Sequence, residues 1–363
     1  MTLQESYQNT FREAVNRLQE LPVSSPLREI FETRIRPTVE QIISNCDERS
    51  LELAHWPYFY GLITSDYIDL QRLHDDVAAV AAASSRIPAE VAAFLGRPNE
   101  ERTGGFLGGL FDLYVKAVSL RAFSAVELDA PLTSHGKGKN CDVRCRIGRR
   151  SVRFESTVIS EDDESRDAHA RYFIDKIDGK SRFLRRPGPD DPSTNAKGPS
   201  HYYDAGRIYL KIFDKIACGF DPRQTQLSDS EPNLICLSFA GPGASPRLPA
   251  VRWVLDELFG VQPRSGCDPN SPGGSVALLN WIERRANELI KDKKLTDDAY
   301  IQLYNDQVLL KLIRRISGIL LFDSGHFHSA RLNYNCGKRF RIRHVTIARI
   351  EREFRKRPAC YIL

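Results

Sequence analysis

The chain has 363 residues, 41% hydrophobic and 27% charged, with a net charge of +5. That composition suits a globular protein of one large or two ordinary domains, and so mild a positive excess does not by itself demand a polyanionic partner. No apolar run approaches the ~18 residues that a membrane helix needs. Met1-Thr2-Leu3-Gln4-Glu5-Ser6 has neither the basic start nor the apolar core of a secretory leader. Eight cysteines without a CxxC pair point to reduced thiols. The expectation is a cytoplasmic protein with no membrane contact.

Residues 1–100 read as an N-terminal α-helical region. Phe11, Ala14, Val15 and Leu18 recur at helical spacing, as do Leu27, Ile30, Phe31, Ile35 and Val39 after the start signal at Pro26. Further helices are expected at about 66–83 and 87–95. The cluster His55, Trp56, Tyr58, Phe59 and Tyr60 suits a core. Gly104-Gly105 and Gly108-Gly109 then introduce a helix at about 106–122. Its buried stripe is Leu107, Leu110, Phe111, Tyr114, Val115 and Val118, with Asp112 at the stripe's edge. A short strand at 124–128 follows, and a glycine-rich basic loop carrying Lys137 and Lys139 leads to Asp142.

The segment after that loop alternates in polarity on both sides of Gly148-Arg149, the pattern of a hairpin with one buried face. Val143, Cys145, Ile147, Val152, Phe154 and Val158 fall on the apolar face, which Cys141 shares. Asp142, Arg144, Arg146, Ser151, Arg153, Glu155 and Thr157 fall on the other. Glycine opens a two-residue turn of the II′ type. Counting outward from that turn sets Asp142 opposite Glu155, with Cβ atoms roughly 4.5–5.5 Å apart. Two like charges so placed repel unless a cation lies between them. Magnesium takes one or two carboxylates and keeps its other positions for water and phosphate. An alternative is a solvated face on which the two acids pair with Arg144 and Arg153.

Beyond the hairpin, acids at 161–164 suit a helix start, with that helix running to about 178. A Pro/Gly/Ser-rich loop at 183–200 precedes a long helix at about 201–218. There Arg207, Lys211 and Lys215 form one stripe, and Ile208, Ile212 and Ile216 another. Continuous apolar runs at 233–239 and 316–322 read as strands buried on both faces. Helices at 248–259, 275–291 and 297–314, a loop at 262–274 and an edge strand at 330–334 complete the set. His326-Phe327-His328 reads as a polar connection, or with Cys336 as a zinc ligand set. The densest basic run, at 338–344, includes Lys338, Arg339 and Arg341. It suits an edge strand that meets phosphate, or one protected from aggregation by its charge. The whole is an α/β protein: a mixed β-sheet flanked by helices over 101–363, preceded by the helical region.

The order of a helix bearing Asp112, a strand, a loop, Asp142, a turn and Glu155-Ser156-Thr157 resembles the PD-(D/E)XK nuclease superfamily. The resemblance covers 104–240 well and 241–363 loosely. It implies a restriction-endonuclease-like αβββαβ core and cleavage of nucleic-acid phosphodiesters with Mg²⁺ or Mn²⁺. DNA ranks above RNA as the partner. Asp142 and Glu155 match the two motif acids and are the implied holders of one or two metal ions, with Asp112, a helix acid used by some members, as an outer ligand and the Ser156 carbonyl as a further ligand. Cys141 stands where the motif has proline, and Thr157 where it has lysine. Some members carry that lysine on a neighbouring helix, which makes Lys211 the first candidate here and Lys215 the second, with Lys139 of the preceding loop as an alternative. Lys137, Lys139, Arg207, Lys215, Lys338, Arg339 and Arg341 are the expected phosphate contacts. Loss of the lysine also fits a catalytically inactive nuclease fold that binds nucleic acid or a protein. The N-terminal helices are candidates for a homodimer or partner contact.

Overall fold

Alternating and continuous apolar runs become strands here, and the helices between them cover both faces of the sheet they form. The structure is a computed structural model. It describes residues 3–37, 40, 70–84, 103–132, 140–159, 225–239, 308–323 and 325–359, with positions 208, 211–212, 215–217, 251, 255–256 and 258–259. Outside the described residues lie the aromatic cluster at 55–60, the expected helices at 87–95, 160–178 and 275–291, and the loops at 183–200 and 262–274.

The helices α1 (Leu3–Gln19), α2 (Pro26–Ile30), α3 (Leu70–Ala83) and α4 (Thr103–Ala122) precede the strands. Ser25 caps α2, its hydroxyl accepting from the Arg28 N–H. α4 begins at Thr103, so all four glycines lie within the helix rather than before it. Next come β1 (Ser124–Pro131), β2 (Asn140–Ile147), β3 (Arg150–Ile159) and β4 (Asn233–Phe239), then α5 (Val308–Ile313), β5 (Ile316–Asp323), β6 (His326–Leu332) and α6 (His344–Arg355). Among the described residues the strands form one six-stranded sheet ordered as in the chain. β1, β2 and β3 run antiparallel, β3-β4 and β4-β5 pair in parallel, and β6 returns antiparallel. This is a mixed α/β sheet.

The hairpin register is the expected one, with Ile147 opposite Arg150 and Val143 opposite Phe154. Gly148, at φ +66°, supplies the left-handed backbone at the turn. β4 and β5 are buried along nearly their whole length, as apolar strands inside a parallel sheet must be. One face packs under α4 and α6, where Phe322 meets the rings of Phe111, Tyr114, Phe327 and Phe354 at centroid distances of 5.1 to 6.0 Å. Leu18, Phe31, Leu73 and Val77 of the earlier helical segments share this core. The opposite face is covered by Ile208, Ile212, Ile216, Val251, Leu255 and Phe259 from the two crossover connections.

Three expectations change. Cys141 packs with Ala130 and Leu132, apart from Val143 and Cys145. The edge strand starts at His326, so both histidines belong to β6 rather than to a connection. The basic run at 338–344 is a 3-10 turn at Lys338–Phe340 leading into α6, not a strand. α6 was not foreseen, although Ile347, Ile350 and Phe354 form its buried stripe.

At Gly318 the sheet tolerates no side chain. A Cβ there would stand 2.6 Å from the Arg331 carbonyl oxygen on β6. Gly318→Ala must push β5 and β6 apart, and should lower stability by about 1–3 kcal/mol in a denaturant titration.

Candidate active site

Antiparallel strands exchange both amide hydrogen bonds at every second pair. The β2–β3 ladder runs only to Val143 and Phe154, so Asp142 and Glu155 lie just past its end. There the Ser156 N–H donates to Asp142 Oδ2 at 2.6 Å, and the Ser156 hydroxyl donates to the same oxygen at 2.7 Å. A carboxylate has taken the place of the next strand carbonyl. Within a strand, one residue's N–H and C=O point to the same side, so the Ser156 carbonyl faces this gap too. Asp142 therefore reaches in beside Ser156 instead of lying flat across from Glu155.

Glu155 is 1% exposed. Its Oε2 meets Lys215 Nζ at 3.2 Å, while Oε1 is buried without a hydrogen-bond partner. Lys215 comes from the helical segment whose isoleucines cover the sheet. The i, i+4 spacing of Ile208, Ile212 and Ile216 fixes the rotation of that segment and so aims Lys215 at β3. Lys211, one turn earlier, is half-buried. Thr157 is half-buried two residues beyond Glu155 on the same strand.

Asp112 enters from α4. Its Oδ1 lies 3.0 Å from the Ser156 hydroxyl and shares that group's single proton with Asp142, and its Oδ2 faces Lys116 Nζ at 2.9 Å. Lys116 Nζ also meets Asp129 Oδ1 at 2.8 Å. Asp129 sits in β1 between the paired positions Leu128↔Val143 and Ala130↔Cys141, hence opposite Asp142. Its backbone is left-handed, φ +49°, a conformation that aspartate tolerates better than most residues. Sequence reasoning overlooked Lys116 and Asp129. The i, i+4 spacing from Asp112 was the signal for Lys116. For Asp129 no local signal existed.

Four carboxylates (Asp112, Asp129, Asp142, Glu155) thus face two ammonium groups, leaving two negative charges when all are ionised. The excess shows in the titration of the acids. Burial first, and then the charge of Asp142, pushes Asp112 up to about 7 against the pull of Lys116. The same two causes raise Glu155 well above an ordinary glutamate, against Lys215. Burial pulls both lysines down, but their acid partners outweigh it and hold each above the usual lysine value. Both lysines are therefore cationic at neutral pH.

The hairpin arginines do not serve as the acids' partners. Arg144 pairs with Glu127 at 2.9 Å and Glu231 at 2.7 Å, and Arg153 with Glu231 at 2.6 Å. Glu231 precedes β4, so this clamp ties the hairpin to the neighbouring strand and leaves Asp142 and Glu155 to Ser156 and Lys215.

Lys338, Arg339 and Arg341 are exposed. The Arg341 carbonyl accepts from Arg150, at the turn end of β3. Five residues separate Arg150 from Glu155, about 16 Å of strand, so this basic run flanks the acids rather than entering them. Lys137, Lys139 and Arg207 lie outside the described residues. Among the described residues no three His, Cys, Asp or Glu side chains form a ready metal-ligand group, and no helix is long and apolar enough to cross a membrane. Cys336 is buried and its thiol, raised by burial to about 11, is protonated at neutral pH.

No family model matches the chain, and neither a curated protein nor a solved structure matches it.

Asp112 binds its proton more tightly folded, at about 7, than at the ordinary carboxyl value of 3.8. Between those values the native state holds more protons than the unfolded one, so this group makes stability fall as pH rises from about 4 to about 7. Asp112→Asn should flatten that part of the profile, measured by denaturation in chelator-containing buffer. An unchanged slope would assign the proton elsewhere.

Proposed function

We propose that this protein is a metal-dependent nuclease that hydrolyses nucleic-acid phosphodiester bonds, with a restriction-endonuclease-like core. The observation that carries the reading is Glu155. Its carboxylate oxygen Oε1 is buried, has no partner and neighbours a second acid, while a lysine from the adjacent helix holds the other oxygen. A buried charged oxygen left unsatisfied is expensive, and a hard divalent cation is the ligand that suits it. The element order also supports the reading, because α4, the β1–β3 meander, a helical crossover and the parallel strand β4 follow the αβββαβ sequence that the resemblance implies.

In this reading Asp142, Glu155 and the Ser156 carbonyl hold Mg²⁺ or Mn²⁺, and Asp112 acts from behind through the Ser156 hydroxyl. Such an ion, when bound, would supply a water of lowered pKa and polarise the scissile phosphate. Lys215 takes the role left open by Thr157. Its raised pKa makes it a fixed positive charge that offsets negative charge growing on the phosphate, not a base. The Thr157 hydroxyl can still hydrogen-bond water or substrate. The exposed Lys338, Arg339 and Arg341 contact phosphates beside the cleavage point, so binding weakens with salt. DNA is the preferred polymer and the cytoplasm the expected compartment. The described N-terminal helices are candidates for substrate recognition or for dimerisation.

Asp142→Ala and Glu155→Ala should abolish Mg²⁺- or Mn²⁺-dependent cutting of plasmid and single-stranded DNA while circular dichroism stays native. Lys215→Met should lose roughly 10²–10³-fold in rate, the scale for removing one preorganised donor. If purified Glu155→Ala cuts as well as wild type, the site is misplaced. Thr157 in the lysine position favours one other reading, a nuclease fold that binds without cutting. Salt-sensitive binding with no cleavage of several substrate classes would establish it.

A further inference from the structure

Lys116 is a buried cation, its side chain 7% exposed, one turn after Asp112 on α4. Its ammonium bridges two carboxylates from different elements, Asp112 of α4 at 2.9 Å and Asp129 of β1 at 2.8 Å. The β1 backbone is left-handed at Asp129, φ +49°. The 2.8 Å contact joins the β1 carboxylate to the α4 ammonium across two elements. The bridged pair stands directly behind the acids proposed to hold metal: Asp112 shares the Ser156 hydroxyl with Asp142, and Asp129 is opposite Asp142 in register.

Sites that use two metal ions place them about 3.5–4 Å apart and need carboxylates for both. Here one oxygen of Asp112 is held by Lys116, and the other shares the single Ser156 hydroxyl proton with Oδ2 of Asp142, which also accepts from the Ser156 N–H. What remains is the second oxygen of Asp142, Oε1 of Glu155 and the Ser156 carbonyl. Two carboxylates with room for water and phosphate are the usual set for a single Mg²⁺. The charge balance agrees: with all four acids ionised, the two carboxylate charges left over by Lys116 and Lys215 match one divalent ion.

We propose that Lys116 stands in place of a second metal ion, so that this site takes one divalent cation, on Asp142 and Glu155, rather than two. The inference rests on the nuclease reading above and deepens it. Lys116 is a positioning residue: it holds Asp112 and Asp129 apart from the ion and meets no reacting atom. Sequence alone could not have shown this, because the counter-ion and its second acid lie on different elements.

Titration of the full-length protein with Mn²⁺, followed by calorimetry and electron paramagnetic resonance, tests it. Wild type should bind one Mn²⁺ with the spectrum of an isolated ion, and Glu155→Gln should lose it. Lys116→Met and Lys116→Gln should free Asp112 and Asp129 to take a second Mn²⁺, seen as a doubled stoichiometry and a spin-coupled signal. Lys116→Arg should keep one. Two coupled ions in wild type overturn the inference and leave the nuclease reading standing, a result that does not depend on any variant folding. A Lys116→Gln protein that folds and still binds only one ion also overturns it. Failure of wild type to bind Mn²⁺ at all rejects the nuclease reading and this inference with it.

Discussion

The β2–β3 ladder stops one pair before a charged residue, and the amide released there, Ser156 N–H, is taken by the carboxylate of Asp142. A backbone donor beside a buried strand cannot be left without a partner. A side chain that supplies the missing acceptor is therefore held as firmly as the ladder it replaces. This bond brings Asp142 to Ser156, and through the Ser156 hydroxyl to Asp112 of α4. Strand geometry places Glu155 next in line, on the side covered by the isoleucine helix. The convergence of acids from a helix and two strands follows from that one interrupted ladder.

So many acids at low exposure raise an electrostatic problem that the fold answers in two ways. Each of two acids receives a lysine from the helical layer on its own side of the sheet, Asp112 from α4 and Glu155 from the crossover segment. Burial weakens screening, so each pair attracts strongly, yet desolvation opposes the gain. The remaining excess is carried as raised carboxyl pKa values. Such values concentrate where function needs charge to be reversible, and a site short of positive charge by two is suited to accept it from outside. Structural ion-pair networks elsewhere in the chain look different. Glu231, held between Arg144 and Arg153, is titrated downward by its partners despite some burial, as a clamp should be.

The separation of these two networks explains why the hairpin's own arginines do not quench its acids. Arg144 and Arg153 sit on the strand face that the sequence pattern assigned to polar residues, beside Asp142 and Glu155 in register. Both instead reach Glu231, just before β4, and Arg144 also reaches Glu127 on β1. The clamp ties the hairpin to the segment that enters β4 and keeps both guanidinium groups away from Asp142 and Glu155.

Much of the frame was legible in the chain. Period-two alternation around Gly148-Arg149 specified the hairpin and its register, because a slip by one residue would expose the whole apolar face. Uninterrupted apolar runs specified β4 and β5, because only strands covered on both sides can carry them. The isoleucine stripe specified which side of the crossover helix meets the sheet. What periodicity could not supply were features that join distant elements. Lys215 rather than another lysine of its stripe reaches Glu155, as helix placement over the sheet dictates. Lys116 on α4 meets Asp129 on β1, and Glu231 meets the hairpin from a loop that no local pattern marks. Local sequence determined which backbone each segment adopts, since sterics and burial act over a few residues. The pairing of charges was decided by tertiary packing, since an ion pair needs only proximity in space and leaves no period in the chain.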